Sequence, residues 1–568
     1  MAKIVKKQKR KLGSRGFGAA SREQSSRRPF YVPKKAPCGG NCPAGNHVRS
    51  AMRIINNHDH KNRSEEETWR EAYEVFAETT PFLATCGRVC PAVCEQNCNR
   101  KEVDDAAVHI RCIERFLGDW ALEHQPPVPG VSDEKRSEKV AVVGGGPAGL
   151  SCAYQLARKG YAVTVYEAFD KAGGMLRYGI PDYRMPAGVL DAEIQRIADL
   201  GVDIKTGVRV GTDIGFDELK SQYDAVFVGI GAHKGYTLGV PGEDAANVMS
   251  GVAFLNRING GETIDVGDKV IVIGGGDTAI DAARIARRLG AEAHIVYRRT
   301  RTEMPAIEPE IEEALKEGVH IDYLAAPVEI LKEGDRAVGM RSIRMELGEP
   351  DASGRRRPVP VAGSEFDIDA TFIIPAISQE PDFASMEFLR EGRDWIKVDP
   401  EYRVALLDGN VYAGGDATDL ALVTTAIGQG RKAAAAIDRD FRELEKTGGP
   451  DLPWVTASQL NKGHWLELRQ PHVEEEHIPV EEALAALDRE TTRTFTMDEA
   501  RTEAARCMSC GLCFDCENCF KYCQDSAIVR PEERGGEYRI KLENCIGCDK
   551  CAEACPCGYI DMRDMSGR

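Results

Sequence analysis

Long apolar runs are missing from this 568-residue sequence. No stretch approaches the roughly 18 apolar residues that a bilayer-spanning helix needs, so we expect no membrane span. The N-terminus also lacks an apolar segment followed by small residues at a cleavage site, which argues against a secretory signal. We therefore expect a cytoplasmic protein.

Cysteine is almost absent from the middle of the chain. Of 19 cysteines, seven lie between Cys38 and Cys112 and eleven between Cys507 and Cys557, which leaves only Cys152. A disulfide framework would not leave the centre bare. Two dense blocks with short, repeated spacings are typical of metal sites in a reducing compartment.

An overall positive charge is also lacking, because the net charge is −16. This balance argues against a nucleic-acid partner. Residues 1–35 are the exception, with twelve Lys or Arg and a single acid, Glu23. Such a run is either a solvated tail or a docking arm for an acidic partner.

Two strand–turn–helix units carry glycine-rich turns. In the first, the apolar strand KVAVVGGG (139–146) leads into a helix over 149–159, and a second strand ends at Glu167. The spacing G-x-G-x-x-G lets the backbone approach a pyrophosphate at the helix N-terminus, and the Glu167 carboxylate suits ribose hydroxyls. The three glycines are Gly144, Gly146 and Gly149.

The second unit has a G-x-G-x-x-A turn in KVIVIGGG (269–276), with a helix over 278–289 and a strand that ends in arginines rather than an acid. Guanidinium groups at that position suit a 2′-phosphate and favour NADP(H) over NAD(H), unless they form a solvated turn. The candidate NAD(P)-binding residues are Gly274, Gly275, Gly276, Asp277, Thr278, Ala279, Arg298 and Arg299.

At these motifs the chain resembles the glutamate synthase small-subunit family of flavoproteins, from about residue 36 to 440. The resemblance includes GGMLRYGIPDYRMP (173–186), YRRTRTEMPA (297–306) and VYAGGDATDLALVTTAIGQGRKAA (411–434). It implies FAD at the first turn and NADPH at the second. The implied FAD-binding residues are Gly144, Gly146, Pro147, Ala148, Gly149, Glu167, Gly174, Leu176, Arg177, Gly415, Asp416, Thr425 and Ala426.

The C-terminal cysteines form two C-x2-C-x2-C-x3-C runs, the signature of a two-cluster ferredoxin in which the fourth Cys of each run ligates the other cluster. One [4Fe–4S] cluster is therefore expected on Cys513, Cys516, Cys519 and Cys555, and another on Cys545, Cys548, Cys551 and Cys523. Cys507 and Cys510 extend the first run at the same spacing, so the register can shift. We expect them and Cys557 to be spare thiols.

The N-terminal cysteines lack part of the family pattern. The resemblance assigns one [4Fe–4S] cluster to Cys42, Cys90, Cys94 and Cys98. The family often has a second cluster that uses two further cysteines upstream, and residues 1–37 contain none. The alternatives are a second cluster on Cys38, Cys86, Cys112 and Glu114, or a Cys112 that packs as a small apolar residue in a helix.

The predicted fold class is α/β, with two Rossmann-like dinucleotide-binding domains, an N-terminal α-helical iron–sulfur domain and a C-terminal ferredoxin-like α+β domain. Helices are expected at about 46–57, 65–78 and 105–122. The predicted segments are a basic tail (1–35), the helical iron–sulfur domain (36–130), the FAD-binding domain (136–245 and 366–445), the NAD(P)-binding domain (246–365), a linker (446–500) and the two-cluster domain (501–568).

The expected activity is electron transfer between NAD(P)H, FAD, the clusters and either a ferredoxin or a partner redox enzyme, within an oligomer or hetero-complex. The layout is similar to the flavoprotein associated with dissimilatory sulfite reductase and to subunits that feed 2-oxoacid:ferredoxin oxidoreductases. A glutamate synthase small subunit is the alternative, and a non-enzymatic redox sensor is a third. We find no acid, base or nucleophile constellation, and cofactor chemistry needs none.

Overall fold

The computed structural model describes residues 25–566, except 59–62, 105, 352–353, 384–385, 392–394, 408, 446–450 and 468–469. The chain divides into two compact units, and each is described by itself. One unit comprises Met1–Ala36, Leu452–Leu468 and Met508–Arg568, and the other comprises Pro37–Asp451 and Arg469–Cys507. The first described element, strand β1 (Arg27–Tyr31), belongs to the former unit.

Short helices joined by cysteine-bearing turns form the start of the larger unit. A Ser64–Glu67 capping box fixes the start of its third helix, and Trp69 packs edge-on against Phe116 with ring centroids 4.8 Å apart. The helices are α1 (Pro37–Asn41), α2 (Val48–Asn56), α3 (Glu65–Ala77), α4 (Leu83–Val89), α5 (Val93–Gln96), α6 (Lys101–Asp104) and α7 (Ile110–His124).

The first dinucleotide fold follows. Its elements are β2 (Lys139–Val143), α8 (Pro147–Arg158), β3 (Ala162–Tyr166), α9 (Met175–Tyr178), α10 (Ala187–Ala198), β4 (Asp203–Lys205), α11 (Phe216–Gln222), β5 (Ala225–Val228) and β6 (Lys234–Gly235). Buried Glu193 on α10 accepts hydrogen bonds from the first backbone N–H groups of α4, from Ala84 at 2.7 Å and from Thr85 at 3.1 Å. The helical iron–sulfur region is thereby fixed to this fold.

The second dinucleotide fold is inserted into the first. Its elements are α12 (Gly251–Asn259), β7 (Lys269–Ile273), α13 (Asp277–Arg288), β8 (Glu292–Tyr297), α14 (Glu308–Lys316), β9 (His320–Tyr323), β10 (Ala325–Glu333), β11 (Arg336–Pro350), β12 (Arg356–Asp369) and β13 (Phe372–Pro375). A parallel sheet has the order β13-β7-β8-β9, and β10-β11-β12 form a separate antiparallel sheet.

The chain then returns to the first fold through β14 (Gln379–Glu380), β15 (Val411–Ala413) and α15 (Val423–Phe441). Strand β15 completes a parallel five-stranded sheet of order β15-β5-β2-β3-β4. The two dinucleotide folds are joined by a buried ion pair, in which the Arg184 guanidinium donates to both oxygens of Asp281 at 2.9 and 2.8 Å.

The remaining elements divide between the two units. They are α16 (Lys462–Glu467), α17 (Val480–Leu484), α18 (Met497–Ala504), α19 (Asn518–Lys521), β16 (Ile528–Val529), β17 (Arg539–Ile540), α20 (Lys550–Glu553) and β18 (Ile560–Asp564). Strand β1 pairs antiparallel with β18. Among the residues described, no helix is both long enough and apolar enough to cross a bilayer.

The division into two units differs from the predicted bounds of two segments, the basic tail and the linker. Within the predicted basic tail, residues 1–24 lie outside the described residues and 27–31 form a strand of the smaller unit. The predicted linker 446–500 is shared, since Leu452–Leu468 joins the smaller unit and Arg469–Cys507 joins the larger one.

Candidate cofactor-binding sites

A cavity of about 570 Å³ lies at the carboxyl ends of the five-stranded sheet. This is the edge at which open parallel sheets bind ligands. Nine of the thirteen predicted FAD-binding residues line it: Gly144, Gly146, Pro147, Ala148, Glu167, Gly174, Gly415, Asp416 and Ala426.

The first glycine-rich turn is shaped by close backbone contacts. Gly144 has φ +102°, and a Cβ there would lie 2.3 Å from the Gly229 carbonyl oxygen. A Cβ on Gly149 would lie 2.0 Å from the Gly144 oxygen, so Gly149 serves helix–strand packing and does not line the cavity. Gly146 is the open position, because the nearest atom to a Cβ there is 3.8 Å away. A phosphate can approach the start of α8 at this point.

Glu167 holds this turn. One carboxylate oxygen accepts from the Gly145 N–H at 2.7 Å and the other accepts from the Phe169 N–H at 2.8 Å. Burial raises the pKa of Glu167, and these two hydrogen bonds oppose the rise. Each oxygen keeps a second lone pair, so the carboxylate can still accept from a ribose hydroxyl in the cavity.

His233 Nδ1 is one of the buried polar atoms that have no hydrogen-bond partner among the described residues, and Thr424 Oγ1 in the first turn of α15 is another. An unsatisfied buried group costs about 1–3 kcal/mol, which indicates that a ligand completes the site. His233 lines the cavity, and burial lowers its pKa to about 4, so the ring is neutral at pH 7. The donors, acceptors and open turn fit FAD.

Besides Gly149, three predicted FAD-binding residues do not line the cavity. Leu176 is buried in the core of the fold, and Thr425 follows the unpaired Thr424 in the first turn of α15. The Arg177 guanidinium is held by the Ala172 carbonyl at 2.7 Å and by Asp191. Arg177 therefore stabilises the loop around Gly174 and does not face the cavity.

The prediction missed other lining residues. Gly229, Ile230 and Gly231 follow β5 at the same edge of the sheet, and Asn256 and Met386 come from other segments. The signal for the first three was visible, because AVFVGIG repeats the pattern of an apolar strand followed by Gly-x-Gly. The last two carry no such local signal.

The second glycine-rich turn joins β7 to α13. Gly274 has φ +148°, and a Cβ there would lie 2.2 Å from the Ala376 carbonyl oxygen. A Cβ on Gly276 would meet nothing within 4 Å, so the N-terminus of α13 is open to a phosphate. Ala279 is fully buried, and Asp277 accepts from the Ile307 N–H at 2.9 Å.

The two predicted arginines have different surroundings. Arg298 is exposed, whereas the buried Arg299 donates to Asp351 at 2.7 Å and to the Arg356 carbonyl at 2.8 Å. Burial raises the pKa of Tyr297, and the positive charges of three arginines oppose this: Arg299, Arg355 and Arg298. Three arginines therefore place positive charge close to Tyr297, at the end of β8. Arg355 is one of them, and the sequence pattern did not predict it.

Two small cavities in the smaller unit are each lined by one of the predicted sets of four cysteines. One contains Cys513, Cys516, Cys519 and Cys555, and the other contains Cys523, Cys545, Cys548 and Cys551. Four thiolates at these spacings fit a [4Fe–4S] cluster. Cys557, expected to be a spare thiol, also lines the first cavity.

Strand β1 contributes to both cavities. Tyr31 lines the first and Pro29 lines the second. Buried Lys34 then donates to the Gly558 carbonyl and to Asp561 at 2.7 and 2.6 Å. This part of the predicted tail is therefore structural.

In the larger unit, Glu114 on α7 faces a group of cysteines. Burial raises the pKa of Glu114 to about 8, and its side chain accepts from Asn46 at 3.0 Å. The negative charge of Glu114 adds to burial in raising the pKa of four thiols: Cys42, Cys86, Cys90 and Cys94. Three of these cysteines belong to the first predicted cluster, so Glu114 is a further candidate ligand for it.

Two cysteines of the second predicted set, Cys86 and Cys112, pack in different cores. Cys86 is buried in the core of the FAD-binding fold, whereas Cys112 packs in the core of the N-terminal helices. Burial raises the pKa of Cys112, whose charged neighbours include Arg111, Glu475 and Glu95. The packing matches the alternative in which Cys112 is a small apolar residue of a helix.

Two Rossmann-like folds with open glycine-rich turns, together with cysteine sites in both units, define an FAD-dependent iron–sulfur NAD(P)H oxidoreductase. The chain belongs to the pyridine nucleotide-disulphide oxidoreductase family, whose model matches residues 138–430. Residues 14–126 match dihydropyrimidine dehydrogenase domain II with its 4Fe-4S cluster, and 512–559 match a 4Fe-4S dicluster domain. The cofactors are FAD, NAD(P)H and [4Fe–4S] clusters in both the N- and C-terminal regions.

Three curated relatives resemble most of the chain. The NADPH-Fe(3+) oxidoreductase subunit beta of Geobacter sulfurreducens is 37% identical, over 85% of this chain and 76% of its own. The NADP(+)-dependent formate dehydrogenase subunit beta of Moorella thermoacetica is 36% identical, over 87% and 73%. The glutamate synthase [NADPH] small chain of Escherichia coli is 35% identical, over 70% and 87%.

Proposed function

We propose that this chain is the electron-transferring subunit of a heteromeric NADP(H)-linked oxidoreductase. The observation that carries the proposal is the combination, in one chain, of an FAD cavity, a second dinucleotide turn and two four-cysteine cavities. When bound, FAD exchanges a hydride with the nicotinamide and single electrons with the clusters. The chain therefore couples a two-electron carrier to one-electron carriers.

The residues have distinct roles in this proposal. The start of α8 beside Gly146 holds the FAD pyrophosphate, and Glu167 both shapes that turn and accepts from the ribose. The start of α13 holds the phosphates of the nicotinamide nucleotide, and Arg298 binds its 2′-phosphate. Asp416, whose pKa is raised to about 6 by burial, accepts from the ribityl chain.

The partner is a ferredoxin or a redox enzyme subunit. Two relatives support this assignment, because they are named as beta subunits of larger oxidoreductases. Dissimilatory sulfite reductase, a 2-oxoacid:ferredoxin oxidoreductase and a formate dehydrogenase are the partner classes to test. In each of them the substrate chemistry takes place on the other subunit.

A second candidate is the small chain of glutamate synthase, which the Escherichia coli relative supports. The two C-terminal cavities favour the first proposal, because they provide a route to a separate one-electron acceptor.

The test compares two acceptors. Holoprotein is supplied with NADPH and either a low-potential ferredoxin or ferricyanide, and the same is done with C548A, which alters the second C-terminal cavity. We expect the ratio of ferredoxin to ferricyanide rates to fall at least tenfold in C548A. An unchanged ratio, or no turnover by the wild type with either acceptor, would contradict the proposal.

A further inference from the structure

The grouping around Glu114 leaves two N-terminal cysteines to be explained. Cys38 on α1 and Cys98 after α5 pack against the core of the N-terminal helices, together with Cys94 and Cys112. Helix α1, which carries Cys38, packs against α5, the helix that Cys98 follows. Two thiols are too few for a cluster, and residues 1–37 contain no other cysteine.

A segment distant in sequence docks on these same helices. We call residues 469–507 the docking segment. Its helix α18 places Ala500 and Ala504 in the helical core with Trp69 and Phe116, and the Ala504 carbonyl accepts from the Asn56 side chain at 2.9 Å. Buried Glu503 accepts from the His109 N–H at 2.8 Å. The end of the docking segment is therefore fixed to the N-terminal helices by packing and by buried hydrogen bonds.

Hydrogen bonds fix Arg506, the buried residue directly before Cys507. Arg506 donates to the carbonyls of Ala107 and Ala106 at 2.6 and 2.9 Å, and its own carbonyl accepts from Arg100 at 3.3 Å. Arg100 is two residues after Cys98. Cys507 itself packs against the same core as Cys38 and Cys98.

We propose that Cys507 is an iron–sulfur ligand that joins Cys38 and Cys98 in a further [4Fe–4S] cluster of the N-terminal helical domain. The docking segment thus supplies what the start of the chain lacks. Thiolates are soft ligands and favour iron–sulfur clusters over hard metal ions such as Mg²⁺ or Ca²⁺. Cysteine thiolates are the usual ligands of [4Fe–4S] clusters. The fully buried Arg100 lies two residues from Cys98, and the buried Arg506 is ion-paired with Glu503 of the same helix end.

The proposal rests on the cofactor class of the chain and not on its partner. It revises the expectation that Cys507 is a spare thiol, and it moves Cys98 out of the first predicted set, where Glu114 takes its place. In the second predicted set, Cys98 and Cys507 replace Cys86 and Cys112. Iron adds to the attachment of the docking segment, because one ligand lies at the end of that segment.

The test is metal content and spectroscopy of full-length holoprotein. At four irons per cluster, wild type should contain about 16 Fe per chain and C507A about 12, with one fewer cluster in the EPR spin count of the reduced protein. C98A should show the same loss. C112A is the matched control, since Cys112 is in the same core, and it should keep about 16.

FAD content and circular dichroism check that C507A is folded. If C507A does not accumulate, alkylation of the wild type tests the same ligand. Cys507 should react with iodoacetamide only after the iron is removed by a chelator. Equal iron in C507A and wild type, loss of iron in C112A but not in C507A, zinc in place of iron, or equal alkylation before and after chelation would each overturn the proposal.

Discussion

Adjacent arginines at the second dinucleotide turn differ in what their guanidinium groups contact. Arg299 is committed to Asp351, 52 residues further along the chain, whereas Arg298 is exposed. A 2′-phosphate therefore meets Arg298 more readily than Arg299. The sequence predicts both arginines equally, because a local pattern carries no information about a partner on the loop between β11 and β12.

Replacing Arg298 by Ala should raise the KM for NADPH at least tenfold and leave the KM for NADH nearly unchanged, because only NADPH carries the 2′-phosphate. R301A is the matched control, since Arg301 is close by and is already paired with Glu308 and Glu312. Steady-state kinetics with both nucleotides measure the effect. An equal change in both KM values for R298A would contradict this role.

The spacing of cysteines along the chain predicted the C-terminal sites better than the N-terminal ones. The two C-terminal sets were predictable because all eight cysteines follow a short, repeated spacing, and the fold then brings each set to one cavity. The N-terminal set was not, because Glu114 and Cys507 reach their positions through helix packing. Glu167 was predicted at the cavity, but its hydrogen bond to the Gly145 N–H depends on the turn itself.

At the scale of elements, the docking segment also contacts the second dinucleotide fold. His477 in this segment lies 3.6 Å from Glu313 on α14, measured from Nδ1 to the carboxylate oxygen. The nearby Glu313 carboxylate raises the pKa of His477, and His477 lowers the pKa of Glu313 to about 2. The pair is charged and attractive when the imidazole is protonated.

The sign of the pH effect follows from the raised pKa. The pair stabilises the fold fully below the unfolded histidine pKa of about 6.5, and this contribution is lost as the pH rises through the higher folded value. Because both groups are partly exposed, we expect less than about 1 kcal/mol. Thermal unfolding of wild type should therefore lose more stability between pH 6 and 8 than that of H477Q.

E313Q should remove the same pH dependence, and the double variant should remove no more than either single variant. A steeper pH dependence in H477Q than in wild type would show that the pair does not act in this way.

Elements with strong periodicity were predicted well, and those that depend on distant partners were not. The βαβ units were evident from apolar strands and glycine turns, and helices α2, α3 and α7 lie near the expected 46–57, 65–78 and 105–122. Strand β1 was missed because RRPFY is basic and short, and its partner β18 is at the other end of the chain. Most of the docking segment was predicted as a linker. Its helices are short, and its other contacts are ion pairs with residues distant in sequence.

At the scale of the whole molecule, motif spacing and the family resemblance predicted the cofactor classes, and the two cysteine blocks predicted the separate redox regions. It could not predict that the two ends of the chain share the smaller unit, since local sequence does not encode pairing between residues more than 500 positions apart.

The central claim is that electrons pass between the clusters, FAD and NADP(H) within this chain. The most direct measurement mixes dithionite-reduced, desalted holoprotein with NADP⁺ and follows both NADPH formation and the EPR signals of the clusters. Because FAD alone supplies two electrons, and hence one NADPH, we predict more than one NADPH per chain with loss of the cluster signals. One NADPH or less per chain, with the cluster signals persisting, would contradict the account.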